Sequence, residues 1–347
     1  MGKKSMYFKQ DVFNVIAAFK ESCGDLIAPC AISLNLAPLV GGLSKASLYR
    51  FDYNQRSYVI RILPPHLDHA IRMKQVVIAK NAGEIGVGPN VYFVGHQLHA
   101  IIMEFIPGRT VSPADFKEAD KLKRFAEFLG HLHKSPQDFP LARSPFDRFD
   151  DFLKKGKQSG QAYPSRFEEA EIVMHKIQKV FNAHCLPLVP THLDLHPLNI
   201  MMHEADFSLV DWVNGGKSYA SFDLATFSVF HELDDDREQI FLTHYFGRSP
   251  TEFEWNCFII AKPVRFFVIA AAFLTQTPED VSPAFYDNVL MDDNIISLHD
   301  FVNKQIAGEM ILPHWQIGLM MLKVAFELVD SSNFKNALSK INSMPIK

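Results

Sequence analysis

Cysteine is scarce in this chain, and what there is lies scattered. Cys23, Cys30, Cys185 and Cys257 form no Cys-x-x-Cys pair. That excludes a zinc ribbon and a dense disulfide framework, and it fits free thiols in a reducing compartment. A basic excess is missing too. Thirty-five Lys and Arg stand against 39 Asp and Glu, for a formal charge of -4, so no sequence-wide field draws in nucleic acid and no such partner is expected. No apolar run has the length of a membrane span. The greasiest, Val264 to Leu274, contains Arg265 and runs into Thr275-Gln276-Thr277-Pro278. That is the length of a buried helix, so no membrane association is expected. Met1 to Met6 carries Lys3 and Lys4 but no apolar core of signal-peptide length, and Met6 breaks the N-myristoylation pattern. Internal repeats and low-complexity segments are absent as well. A cytoplasmic location is expected, and the oligomeric state is left open.

What the chain does have is bulk. Its 347 residues include 30 Phe, enough for one large domain or two lobes with a sizeable core. The chemistry gathers in one stretch, Thr191-His192-Leu193-Asp194-Leu195-His196-Pro197-Leu198-Asn199, followed by Ile200-Met201-Met202 and later by Val210-Asp211-Trp212. It reads His-x-Asp-x-x-x-x-Asn, an apolar run, a polar connection and a second Asp. Phosphoryl transfer needs that set of groups: a carboxylate within reach of the attacking hydroxyl, and an amide oxygen plus a second carboxylate for the metal that neutralises the triphosphate.

The spacing has a physical reason. Asp194 and Asn199 share one loop. Ile200 to Met202 and Phe207 to Val210 read as strands joined by a turn near His203 to Asp206, which is a hairpin. A hairpin returns the chain to where it started, so Asn199 and Asp211 are expected as a pair of hard oxygen ligands suited to Mg²⁺. Asp194 then takes the base role, and His196 is expected to organise the loop by hydrogen bonding.

Upstream, Leu36 to Val40, the loop Gly41-Gly42-Leu43-Ser44-Lys45-Ala46, Leu48 to Phe51, a turn over Asp52 to Arg56 and Ser57 to Leu63 read as strand, glycine loop, strand, turn, strand. Gly41 and Gly42 let the backbone approach phosphates, with Ser44 beside them. The loop matches neither Gly-x-Gly-x-x-Gly nor a Walker sequence ending in Gly-Lys-Ser. Arg61 lies on the last strand, and alternation leaves its face open. A helix is expected over Val12 to Phe19 with Asp11 as N-cap, others over His69 to Gly83, Asp120 to His133 and Glu168 to Phe181, and strands over Asn90 to Gly95 and Ala100 to Phe105.

On these residues the chain resembles the aminoglycoside phosphotransferase and choline kinase group. His192 to Asn199 is similar to that group's catalytic loop, Asp211-Trp212 to its metal Asp, Ser221-Phe222-Asp223-Leu224-Ala225 to its Asp-Leu-Ala segment, and His244 to Arg248 to a segment of choline-kinase-like members. The resemblance implies an α+β, bilobal protein-kinase-like fold. A small antiparallel-sheet N-lobe over 1–107 would bind nucleotide. A larger helical C-lobe over 108–347 would carry the catalytic loop and acceptor site. It implies ATP and Mg²⁺ as cofactors, Asp194, Asn199 and Asp211 as catalytic residues, and Asn199 and Asp211 as metal ligands. Arg61, with Gly41, Gly42 and Ser44, would hold phosphates. Glu104 and Ile106 would form the hinge whose backbone pairs with adenine. Asp223 would brace the catalytic loop through backbone N–H groups.

There are departures. Gln75 stands where the group's helix usually carries the Glu that steadies the phosphate-binding cation, so the ion pair is dispensable, or Glu84 or another acid replaces it, or activity is reduced. The group's choline-binding members tend to carry Trp in the helix matching Lys262 to Leu274, where this chain has Phe266-Phe267. The acceptor is therefore read only as a small-molecule alcohol, such as choline, ethanolamine, thiamine or an aminoglycoside. Aromatic candidates for a cage around a cationic acceptor are Trp212, Tyr219, Phe230, Tyr245, Trp255, Phe266, Phe267 and Trp315. The alternatives to a small-molecule kinase are a protein kinase, against which stands the lack of Ala-Pro-Glu after Asp211, and a catalytically weak nucleotide-binding pseudokinase.

Overall fold

The computed structural model describes residues 3–24, 36–39, 47–184, 186–277, 281–291, 295–309 and 312–345. The phosphate-loop residues Gly41, Gly42 and Ser44 lie outside them. In chain order the elements are α1 (Lys3–Ser22), β1 (Ala37–Pro38), β2 (Ser47–Tyr53), β3 (Arg56–Ile62), α2 (His69–Glu84), β4 (Val91–Val94), β5 (Ala100–Glu104) and β6 (Arg109–Thr110). Then come α3 (Ala119–His133), α4 (Pro145–Gln158), α5 (Phe167–Ala183), β7 (Val189–Thr191), β8 (Ile200–His203), β9 (Asp206–Leu209) and β10 (Gly216–Ser218). Helices complete the chain: α6 (Ala220–Phe230), α7 (Asp235–Phe246), α8 (Glu252–Leu274), α9 (Pro283–Met291), α10 (Leu298–Ile306), α11 (His314–Asp330) and α12 (Ser332–Ser343). They fall into two compact units, residues 1–109 with 137–140 and 201–213, and residues 110–136 with 141–200 and 214–347. Compactness thus puts Asp211 in the same unit as Arg61.

The first unit is built on an antiparallel sheet of order β1-β2-β3-β5-β4. The expected turn after β2 is a two-residue one, Asn54-Gln55, with φ of 47° and 60°, the mirror-image geometry that matches strand twist. Period two splits the sheet's faces. Ile60, Ala100 and Ile102 join Val12, Val15, Ile16 and Phe19 of α1 in one core, while Ile101 packs with Leu63 and Val76 of α2 on the other side. Phe19 fixes α1 by edge contacts to Phe51, Tyr53, Tyr58 and Phe93 at centroid distances of 5.2–6.2 Å. Such pairs each add about 0.5–1.5 kcal/mol beyond area burial. Helix α1 begins at Lys3, well before the expected Val12, so Asp11 is inside it and not its cap. No Gly or Pro interrupts residues 3–11, and nothing stops the helix from propagating backwards. Arg61 pairs across the ladder with Ile101. It therefore stands on the α2 face of the sheet, opposite the α1 core.

The second unit is mainly helical, and β7 and β10 form a short antiparallel pair in it. Its centre is α8, which packs against α4, α6, α11 and α12. Contrary to the expectation of no apolar stretch of membrane-span length, α8 extends the Val264–Leu274 run back to Glu252 and is the one described helix long and apolar enough to cross a membrane; the helices packed on it cover it. A reciprocal Thr251–Glu254 capping box starts it. Helix α3 buries Leu122, Phe125, Ala126, Leu129 and Leu132 as its periodicity predicts, and the acidic run before α7 supplies its N-cap, Asp234, which accepts the Arg237 N–H at 2.9 Å.

Candidate active site

Strand β7 delivers the chain into His192-Leu193-Asp194, and Leu193 takes a φ of +62°, a conformation an L-residue holds only when its surroundings enforce it. Asp223, in the first turn of α6, supplies the enforcement. Its two carboxylate oxygens accept the N–H of His192 at 2.8 Å and of Leu193 at 2.6 Å. His133 Nε2 lies 3.1 Å from the same carboxylate, and its Nδ1 is 2.8 Å from the Tyr245 hydroxyl. Asp223 is fully buried, so every one of these partners matters. The brace expected of Asp223 is present. His133 is part of it.

The loop then closes on itself. The N–H of His196 donates to the Asp194 carbonyl at 2.9 Å, the N–H of Asn199 to the His196 carbonyl at 3.0 Å, and Asn199 Nδ2 to the Asp194 carbonyl at 2.9 Å. His196 thus orders the loop through its backbone, while its ring tilts over Phe230 at 6.0 Å. Because the Asn199 amide nitrogen is used on the loop, its oxygen is the end left for a cation.

Both oxygens of the Asp194 side chain are engaged. Oδ1 takes Arg265 Nη2 at 2.5 Å, and Oδ2 takes Asn214 Nδ2 at 2.9 Å. Asn214 in turn accepts from Arg148 Nη1 at 2.5 Å. Burial by itself would raise the Asp194 carboxyl. The Arg265 guanidinium, with His196 and His192 behind it, outweighs that and brings it down to about 2. Asp194 is held as an anion.

In the first unit, Arg61 Nη2 lies 3.4 Å from Asp211 Oδ1. The partner of Arg61 is therefore an acid at the end of the hairpin, and not the helix position occupied by Gln75, whose Oε1 is buried without a hydrogen bond. Asp211 has a φ of +59°, and its Oδ1 is buried and accepts no hydrogen bond. This oxygen, ion-paired with Arg61 but accepting no hydrogen bond, is a hard donor of the kind a divalent cation takes. The hairpin itself is as expected, β8 and β9 joined at Glu204-Ala205. Its far end is pinned to the Gly86-Val87-Gly88-Pro89 turn, where Leu209 N–H donates to the Val87 carbonyl at 2.7 Å and the Trp212 indole to the Leu209 carbonyl at 2.9 Å. Glu104 ends β5. Its carboxylate accepts Asn90 Nδ2 at 2.8 Å, and its N–H donates to the Asn90 carbonyl at 2.9 Å. Ile106 follows, half-buried, in the connection to β6.

Residues 35–255 match the model of the APH family, a phosphotransferase enzyme family. The chain belongs to this family. A probable ethanolamine kinase of Arabidopsis thaliana is 24% identical over 195 residues, 52% of this chain and 51% of that protein. The chain thus spans about half the length of the curated relative it matches. Among solved structures, a choline/ethanolamine kinase family protein from Mesorhizobium loti superposes with a TM-score of 0.67 at 20% identity, covering 94% of this chain and 100% of that one. Choline kinase LicA from Streptococcus pneumoniae gives 0.62 at 16% identity, covering 86% and 99%. The fold is the expected protein-kinase-like one, with a small antiparallel-sheet unit and a larger helical one.

For this phosphotransferase-family chain, sequence reasoning missed three residues around Asp194: Arg148, Asn214 and Arg265. Arg265 did leave a signal. It interrupts the most apolar stretch of the sequence, and a charge there needs an anionic partner. Five of the aromatic cage candidates have partners within the protein. Phe230 and Phe266 face each other at 4.9 Å, Phe267 lies against Phe326 at 5.3 Å, Trp212 packs on Phe139 at 6.1 Å, and Tyr245 serves His133.

Proposed function

We propose that the chain transfers the γ-phosphoryl group of ATP to a hydroxyl of a small molecule. The observation that carries this reading is Asp194. It is a carboxylate kept ionised by Arg265 on a loop locked by Asp223, and it belongs to a chain of a phosphotransferase family. Asp194 orients the acceptor hydroxyl and takes its proton as the oxygen attacks. Asn199 and Asp211, both hard oxygen donors, are the proposed Mg²⁺ ligands. The cation, when bound, offsets the charge of the β- and γ-phosphates. Arg61 and the Gly41-Gly42 loop with Ser44 hold phosphates, and the backbone at Glu104 and Ile106 meets adenine. On this reading residues 1–107 carry the nucleotide and 108–347 the acceptor, in a cytoplasmic enzyme that needs neither nucleic acid nor membrane.

The test is ATP consumption over a panel of small alcohols, with Asp194→Ala beside the wild type. General-base removal costs about 10²- to 10⁴-fold in rate, while Mg·ATP should still bind. A wild-type protein that neither binds Mg·ATP nor consumes it with any hydroxyl compound would sink the reading.

A further inference from the structure

The surroundings of Asp194 point to what the acceptor is, on the footing that the chain is a phosphotransferase as proposed above. Arg148 and Arg265 line one small cleft together with Leu193, Phe222, Thr226 and Val264. Arg265 pairs with Asp194 directly, and Arg148 reaches it through Asn214. One carboxylate serves two guanidiniums, and its charge balances only one of them. Arg143 also lines the cleft but is exposed and has its own anion, Asp151. Burial, then repulsion from Arg265, pushes Arg148 down to about 10, so a cation is held where a second cation already sits. A desolvated charge without its counter-ion is costly. Arg265 Nε is likewise buried and donates no hydrogen bond. A guanidinium is a planar fork of donors that fits the two oxygens of a carboxylate or phosphate.

We propose that Arg148 and Arg265 form an anion subsite beside Asp194, and that the acceptor is an alcohol carrying a carboxylate or phosphate group near its hydroxyl. The acceptor's anion lies on the two arginine forks and balances the second guanidinium, while its hydroxyl reaches Asp194. A cationic amino alcohol would meet like charge there. In the transfer, the hydroxyl oxygen attacks the γ-phosphorus and a new P–O bond forms. The bond from γ-phosphorus to the β,γ-bridging oxygen breaks, and its electron pair leaves on ADP. The hydroxyl proton passes to Asp194 and then to water. The products are the phosphate ester, ADP and one proton.

The experiment measures binding by calorimetry and turnover by ATP consumption. It uses the full chain with Mg·ATP and four probes: D-glycerate, sn-glycerol 3-phosphate, ethanolamine and choline. At least one of the two anions should bind, and its kcat/KM should exceed that of either cation by about tenfold or more. Which anion wins separates carboxylate from phosphate. Arg148→Gln should raise KM for that anion by about ten- to a hundredfold, with a smaller change in kcat and little change in KM for Mg·ATP. If Arg148→Gln does not fold, Arg148→Lys, a point charge in place of a fork, carries the same test with a smaller rise. Preference for ethanolamine or choline overturns the anion subsite while leaving phosphotransfer intact. So does a protein that binds Mg·ATP but neither anion below about 10 mM. A protein that does not bind Mg·ATP at all removes the phosphotransferase reading and this inference with it.

Discussion

The Arg265 guanidinium sits 2.5 Å from Asp194 Oδ1, with both side chains about seven-eighths buried (15% and 14% exposed). The pair fixes the charge state of the proposed base. Burial raises the Asp194 carboxyl, and the Arg265 guanidinium more than offsets this and brings it down to about 2. An unfolded Asp titrates near about 3.9. The ionised carboxylate therefore stabilises the fold above that value, and its contribution is lost as pH falls toward 2. Catalysis should show no acid limb from Asp194 anywhere above about pH 4. Arg265→Gln removes the main lowering influence and leaves burial, so the carboxyl should move up. An acid limb in kcat should then enter the measurable range. Superimposable pH–rate profiles for the two proteins at saturating nucleotide would show that Arg265 does not set the protonation of Asp194.

Asp223 should matter for folding as much as for activity. It satisfies two buried N–H groups and His133, and it holds Leu193 at positive φ. Asp223→Ala strands those donors, for a loss of about 3–5 kcal/mol. Asp223→Asn keeps one acceptor and should lose roughly half as much. Urea unfolding of both variants tests this; losses under about 1 kcal/mol for the Ala variant would mean that the loop holds its shape unaided.

The candidate site was legible in the sequence where its logic is local. Asp194, Asn199 and the hairpin to Asp211 lie within one short stretch, and turn chemistry plus period-two strands suffice to draw it. Asp223 came through as part of a family pattern. The partners that tune the site are distant along the chain. Arg265 is 71 residues from Asp194, His133 is 90 from Asp223, and no periodicity announces such pairs. The face of Arg61 was undecidable for a related reason. Alternation gives two faces, and only the register against Ile101 selects one.

Arg61→Met should act on phosphates and on the fold together. The side chain is only 11% exposed and pairs with Asp211, so its loss should cost the free protein about 1–2 kcal/mol, less than a fully buried pair because Asp211 is partly solvated. Affinity for ATP and ADP should fall by about 1.5–3 kcal/mol, the range for a hydrogen bond to a charged group, with adenosine nearly unaffected. A double-mutant cycle with Asp211→Asn isolates the pair. Additive effects on stability would mean that the 3.4 Å contact carries no coupling energy.

Gly88 and Gly86 share a turn, yet they should fail in different ways. A Cβ on Gly88 would sit 2.8 Å from Trp212 Nε1 and 3.2 Å from the Leu209 carbonyl, the two groups that bond to each other beside Asp211. Gly86 has open space around it but a φ of +76°. Gly86→Ala should therefore cost about 1–2 kcal/mol of backbone strain and leave Mg·ATP binding alone. Gly88→Ala should cost about 1–3 kcal/mol by overpacking and should also weaken Mg·ATP binding, because the displaced indole carries the proposed metal ligand next to it in the chain. Trp212→Phe in the Gly88→Ala background removes the clashing Nε1 and should recover part of both losses. Calorimetry with Mg·ATP and thermal melts of the four proteins decide it. If Gly86→Ala and Gly88→Ala weaken nucleotide binding equally, the turn acts through its backbone conformation, and the contact between Gly88 and Trp212 is not what positions Asp211.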